Sequence, residues 1–180
     1  MIAPSQVVFL DREWEIIGTK NRLFVDADRL KGLGPLTELV ASITGVPKEV
    51  LKGVSKAQLA RYSVARRMRW AANRQTTRIE DLAYCLLGLF DINMPLLYGE
   101  GRDAFRRLQE EIVSQGDSDS ILAWRPSGYM HIDHLGGSDV LARSAAAFAD
   151  SGNIVDAGGS LGSNLSRDGS GWALRQPMLF

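Results

Sequence analysis

Six arginines crowd one short stretch: Arg61, Arg66, Arg67, Arg69, Arg74 and Arg78, with no acidic residue between Arg61 and Ile79. A guanidinium presents planar, forked donors that match the oxygens of phosphate, so such a run can form an anion-binding surface for phosphate or nucleotide. The sign then reverses. From Glu80 to Asp119 nine carboxylates stand against three arginines, Arg102, Arg106 and Arg107. Neighbouring blocks of opposite charge commonly pair between helices on a solvated surface. Arg66, Arg67, Arg69 and Arg74 are therefore the candidate polar contact surface, with inter-helix pairing as the alternative use of the same charges.

Catalytic chemistry finds little purchase elsewhere. Cys85 falls on or beside the apolar face of an expected helix, and a nucleophilic thiol needs a base within reach and a polar, partly exposed setting. The two histidines, His131 and His134, lie far along the chain in a glycine-rich stretch, so a buried structural thiol is expected. His131-Ile132-Asp133-His134 offers metal-capable side chains without the cysteine pair or HExxH helix that would complete a site. Gly158-Gly159-Ser160-Leu161-Gly162 lacks the lysine of a phosphate-binding loop and reads as a linker. Glu80/Asp81 and Glu110/Glu111 are adjacent on helices, so their side chains diverge by roughly 100°. No catalytic residue, cofactor-binding residue or metal ligand is assigned, and the expectation is a chain that is not an enzyme.

The scaffold for these side chains is 180 residues long, 45% apolar and 23% charged, enough to bury a core of ordinary size. A formal net charge of zero gives no field towards nucleic acid or an anionic membrane, so neither is an expected partner. No apolar run approaches the ~18 residues of a membrane span, and the N-terminus has no secretory pattern. A single cysteine cannot close an internal disulfide, which fits a reducing, cytoplasmic setting. The sequon Asn164-Leu165-Ser166 is then idle.

The patterning predicts an α+β, predominantly α fold: a helical bundle with short N-terminal strands and a Gly-rich C-terminal segment. Val7-Val8-Phe9-Leu10 and Trp14-Glu15-Ile16-Ile17 read as two strands closed by Gly18. Leu36, Leu39, Val40 and Ile43 recur at helical spacing between Pro35 and Gly45, and a second short helix carries Val50 and Leu51. Ser63 is placed to cap a helix through Met68 and Ala72. Thr77-Arg78-Ile79-Glu80 has the capping-box pattern, ahead of one continuous helix with Ile79, Leu82, Ala83, Leu86 and Phe90 on its apolar face. Tyr98-Gly99-Glu100-Gly101 reads as a flexible turn, followed by an amphipathic helix with Ala104, Phe105, Leu108 and Ile112. Beyond Pro126 the glycine content rises. Val140-Leu141-Ala142 with Ala145 to Ala149 suggests one short helix, and Trp172-Ala173-Leu174 with Met178-Leu179-Phe180 suggests paired terminal strands. The segments implied are 1–34, a helical domain over 35–125, and a Gly-rich loop or partial domain over 126–180, cut short.

Several stretches together resemble one family, the fungal heterokaryon-incompatibility (HET) proteins. Val8-Phe9-Leu10-Asp11 with Trp14 and Ile17-Gly18-Thr19-Lys20 resembles the segment that follows the HET core, and Ile43-Thr44-Gly45-Val46 is similar to a further family motif. The most specific block runs from Ser63-Val64-Ala65 through Trp70-Ala71-Ala72-Asn73-Arg74 and Ala83-Tyr84-Cys85-Leu86-Leu87-Gly88. It continues in Asn93-Met94-Pro95-Leu96-Leu97-Tyr98-Gly99-Glu100-Gly101 and closes with Arg107-Leu108-Gln109-Glu110-Glu111-Ile112 and Ser120-Ile121-Leu122-Ala123-Trp124. Leu141-Ala142-Arg143-Ser144 resembles the following segment more loosely.

The resemblance implies the region immediately C-terminal to a HET core, with 1–34 as the tail of that core region and Met1-Ile2-Ala3-Pro4 similar to the motif that ends it. The core itself, similar to Toll/interleukin-1-receptor-type signalling domains, is absent, so the resemblance supplies no active-site residue. It implies a non-catalytic accessory or interaction region in fungal non-self recognition and programmed cell death, with protein partners: the HET core or other incompatibility proteins. The alternative is part of a nucleotide-handling enzyme whose site the missing core completes, the arginines supplying anion contacts. A third reading is a truncated product with no independent role.

Overall fold

The computed structural model describes residues 4, 7–20, 35–116, 119–125, 140–155, 165–168 and 171–174. The class is α+β and mostly helical. The chain folds as two compact units, Met1–Arg61 and Tyr62–Phe180, which do not follow the composition boundaries. Part of the glycine-rich region belongs to a core: Ala142, Ala145 and Phe148 are buried among the apolar residues of the second unit.

In the first unit β1 (Val8–Leu10) pairs antiparallel with β2 (Ile16–Thr19), Val8 opposite Thr19 and Phe9 opposite Gly18. The register then slips, so that Leu10 faces Ile16. The expected second strand thus begins two residues late. The reason is the turn: the Asp11 carboxylate accepts the N–H groups of Glu13 (3.0 Å) and Glu15 (2.9 Å), which puts Trp14 at φ 65 and leaves it exposed. Gly18 is needed where it stands, because a Cβ there would lie 2.6 Å from Leu36 Cγ. The Leu36 N–H bonds to the Thr19 carbonyl at 2.7 Å and leads into α1 (Thr37–Thr44), which stops at Gly45 as the sequence indicates. The apolar series on α1 does not form a core face: Val40 is buried, whereas Leu39 and Ile43 are exposed. Val50 and Leu51 of α2 (Lys48–Lys52) are fully buried. Helix α3 (Lys56–Leu59) carries a capping box unforeseen from sequence, Ser55 with Gln58.

In the second unit α4 (Val64–Arg69) begins at Ser63 as expected, its hydroxyl oxygen accepting the Arg66 N–H at 3.2 Å. The same hydroxyl donates to the Ile154 carbonyl at 2.6 Å, joining residues 91 apart. The long helix expected over Ile79–Phe90 is instead two pieces, α5 (Asp81–Tyr84) and α6 (Leu87–Phe90). At the joint the Leu86 and Leu89 N–H groups bond three residues back, to Ala83 and Leu86, which tightens the chain by a 3-10 step. Ala83, Leu86 and Phe90 remain buried across the break, but Ile79 is exposed. The Thr77–Glu80 capping box does not form, because Glu80 binds elsewhere.

Helix α7 (Asp103–Ser114) buries Phe105, Leu108 and Ile112 on one face, as its periodicity predicts. A 3-10 turn at Asp119–Leu122 buries Ile121, and another at Ala145–Phe148 buries Phe148, replacing the single helix expected from Val140. Finally β3 (Leu165–Asp168) pairs antiparallel with β4 (Gly171–Leu174). Trp172-Ala173-Leu174 is therefore a strand, but its partner is the preceding segment; Met178–Phe180 lie outside the described residues, as do His131, His134 and the 158–162 glycines. Among the described residues no helix is long and apolar enough to cross a membrane.

Two stability outcomes follow from this packing. Leu86→Asp places an unpaired carboxylate among Ala83, Phe90 and their neighbours, a cost of several kcal/mol, so the variant should lose its cooperative thermal transition by circular dichroism. Ser63→Ala removes a helix cap and a long-range bond together and should cost about 1–2 kcal/mol, read as a lower urea midpoint at unchanged slope.

Candidate functional site: a pinned loop

Between α6 and α7 the chain runs through Ile92–Gly101 without regular structure, and its end, Tyr98–Gly101, reads from sequence as a flexible turn. The observed loop is held at almost every residue. Ile92 and Met94 are buried and anchor its start in the core. The Arg107 guanidinium donates from Nη2 to the Pro95 carbonyl at 2.8 Å and to Glu100 Oε1 at 2.7 Å. Tyr84 Oη accepts the Leu97 N–H at 2.8 Å, and its own proton is shared between Glu100 Oε1 (2.8 Å) and the Leu97 carbonyl (2.9 Å).

Glu80 fixes the far end. Its Oε1 accepts the N–H of Gly99 at 2.9 Å and of Gly101 at 3.1 Å. Those two N–H groups can converge on one oxygen because both glycines have positive φ, 103 and 60, which a side chain would strain. The Glu80 backbone N–H and the Gly99 and Gly101 N–H groups, with the Arg78 charge beyond them, hold this carboxyl below its ordinary value against the opposing effect of burial. Tyr98 is tied down as well: it donates to Asp81 Oδ1 at 2.9 Å, and its ring meets Tyr84 edge-on at 5.4 Å under the Arg78 guanidinium.

Both phenols are pushed above the usual tyrosine value, Tyr84 by burial and by Glu100, Tyr98 chiefly by its bond to Asp81 and then by burial. Each therefore stays a hydrogen-bond donor at neutral pH. The result is a loop whose polar atoms face inward while Leu96, Leu97 and Tyr98 stand about half exposed, at 54%, 51% and 52%. Consecutive large apolar side chains held outward on a fixed backbone suit contact with another protein, because binding then costs little ordering entropy. Nothing in this arrangement sets a nucleophile beside a base.

The four arginines singled out from sequence are not gathered into one surface. Arg67 is the clear correction: it is buried, donates from Nη1 to the Leu89 carbonyl at 3.2 Å and lies 4.7 Å from the centre of the Phe90 ring. A guanidinium so placed serves packing. Arg66 stacks over Tyr62 at 5.0 Å, Arg69 donates from Nε to the Ala149 carbonyl at 3.0 Å, and Arg74 is exposed. Arg66 and Arg69, three residues apart, share one face of α4, Arg67 points about 100° away from Arg66, and Arg74 lies beyond the end of the helix. Cys85 differs too: it is exposed and not buried, with its Sγ donating to the Leu82 carbonyl at 3.3 Å. Surrounding protein nonetheless raises its thiol pKa, with Arg74 pulling the other way, so it stays protonated.

Over 124 residues the chain is 40% identical to the vegetative incompatibility protein HET-E-1 of Podospora anserina, an alignment covering 68% of this chain and 8% of that protein. The chain thus spans a small part of the relative's length. No family model matches the chain, and no solved structure does.

Glu80 gives the loop a pH signature of definite sign. A carboxyl held below its unfolded value stabilises the fold above that value and loses this as pH falls through the folded pKa. The stability gap between the wild-type chain and Glu80→Gln should be constant from neutral pH to about 4.3, then shrink. Thermal melts of both from pH 7 to pH 2 read this, and a gap that never narrows would sink the assignment.

Proposed function

Because the chain belongs to the fungal heterokaryon, or vegetative, incompatibility proteins, we propose that it is a non-catalytic interaction region of such a protein. Its work would lie in cytoplasmic non-self recognition and in the cell-death signalling that follows fusion of incompatible cells. The observation that carries the reading is the Ile92–Gly101 loop. Five side chains, Arg78, Glu80, Asp81, Tyr84 and Arg107, hold its backbone or Tyr98 in place, and Leu96, Leu97 and Tyr98 are left facing outward. A HET core is the partner, from the same polypeptide or from a second incompatibility protein. The rival nucleotide-handling reading loses support from the placement of its arginines, since Arg67 is buried against Phe90, Arg66 stacks on Tyr62 and Arg69 holds the Ala149 carbonyl.

A Leu96→Ser/Leu97→Ser variant tests the proposal, because half-exposed side chains can be changed without opening the core. In the intact incompatibility protein the pair should abolish the fusion-triggered reaction at unchanged protein level. Binding of the isolated chain to a purified HET core should weaken about thirtyfold, the loss expected of a hot spot worth ~2 kcal/mol. A full reaction and unaltered binding by the double variant would remove the loop from the mechanism.

A further inference from the structure

The loop's bracing reaches back, through Arg78, into the segment that joins α4 to α5. Residues 70–80 form neither helix nor strand, and most of the stretch from Asn73 to Ile79 is exposed. Two adjacent threonines in it use their hydroxyls differently. Thr76 donates to the Arg78 carbonyl at 2.5 Å. Thr77 is exposed, and its hydroxyl has no hydrogen-bond partner among the described residues. The other exposed hydroxyls among the described side chains are committed locally. Ser42 donates to the Leu39 carbonyl and Ser114 to the Glu111 carbonyl, both at 2.8 Å, and Ser55 caps α3.

Charge marks the same hydroxyl. Arg74 stands three residues before Thr77 and Arg78 directly after it, and neither has an ion-pair partner among the described residues. Protein kinases choose acceptors largely by the charge around the hydroxyl, and those of the basic-directed class place carboxylates where such arginines would lie. An arginine stands three residues before a serine or threonine at one further place, Arg167-Asp168-Gly169-Ser170, where Asp168 opposes that match. An exposed segment without regular structure also bends into a kinase cleft at little cost, because few contacts need to break.

We propose that Thr77 is a phosphorylation site for a basic-directed protein kinase, and that the phosphate loosens the Ile92–Gly101 loop. In the transfer Thr77 Oγ1 bonds to the γ-phosphorus of ATP as the bond to the β,γ-bridging oxygen breaks. ADP leaves, and the hydroxyl proton passes to the kinase's catalytic aspartate. The product carries about two negative charges at neutral pH. Arg78 lies 5.0 Å from the centre of the Tyr98 ring, and its charge helps keep Glu80 ionised for Gly99 and Gly101. A phosphate on the preceding residue competes for that guanidinium and adds like charge three residues from Glu80. Both effects weaken the grip on Tyr98 and on the two glycines. The proposal rests on the pinned loop as the contact surface and makes its presentation switchable.

Treatment of the purified chain with ATP, magnesium and an activated calcium/calmodulin-dependent kinase, which selects arginine three residues before its acceptor, tests the site. Fragment mass spectrometry should find one phosphate, on Thr77, absent from Thr77→Ala. It should enter about tenfold more slowly in Arg74→Gln, the loss of one charge-assisted contact. Amide hydrogen exchange at Gly99 and Gly101 should then run about tenfold faster than in the unmodified chain, while the Ala142 amide, held by Gln109, keeps its rate. None of these readouts involves a HET core, so the loop's part in partner binding is judged separately by the Leu96→Ser/Leu97→Ser pair. No incorporation, phosphate on Thr76 or Ser170 in place of Thr77, or a phosphate on Thr77 that leaves exchange at both glycines unaltered would overturn the proposal.

Discussion

The Glu80 carboxylate sits where several parts of the second unit meet, and much of the local architecture can be derived from what it binds. At the head of α5 it has two uses open to it. It could turn back to its own helix start, as its sequence pattern suggests, or reach across to the N–H groups of Gly99 and Gly101. It takes the second. A carboxylate receiving backbone donors in a partly enclosed setting makes stronger bonds than a solvated cap does. With Glu80 so engaged, α5 starts only at Asp81, Tyr84 and Asp81 point at the loop, and Leu97 and Tyr98 acquire their own bonds.

A similar economy recurs through the rest of that unit, where isolated buried polar side chains tie distant segments to helices. Ser63 caps α4 and holds the Ile154 carbonyl; Ser120 accepts the Ala65 N–H at 3.3 Å; Gln109 grips both backbone groups of Ala142. Each leaves a backbone group of an irregular segment satisfied, which is the condition for burying such a segment at all. That is how residues 140–155, poor in regular structure, contribute Ala142, Ala145 and Phe148 to the core.

The consequence for function is a division of labour among charges. Arg67 goes inward to stabilise α6, Arg78 and Arg107 steady the outward loop, and Arg102, Arg106 and Arg143 surround an open groove. The arginine-rich stretch that looks most like a binding surface in the sequence is largely structural. The arginines that line the groove come from separate segments, 102–106 and 143, and the Gln109 bonds to the Ala142 backbone fix the second segment against α7.

What the sequence determined by itself was whatever depends on neighbours within a few residues. The helix-rich class, the Ser63 cap, the stop at Gly45 and the buried face of α7 all rest on spacings of three or four residues, and the ordered motifs from Ser63 to Trp124 pointed to the incompatibility family. What only the tertiary structure decided was the choice between partners that local pattern cannot rank. Thr77 lies three residues from Glu80 and matches the capping box, yet Gly99, 19 residues away, wins because the folded loop presents two N–H groups at once. The helix over Ile79–Phe90 breaks, Arg67 turns inward, and Trp172-Ala173-Leu174 pairs backward with Leu165–Asp168 for the same reason. A spacing rule encodes which contacts are geometrically open to a residue; which of them forms depends on what the rest of the chain brings within reach.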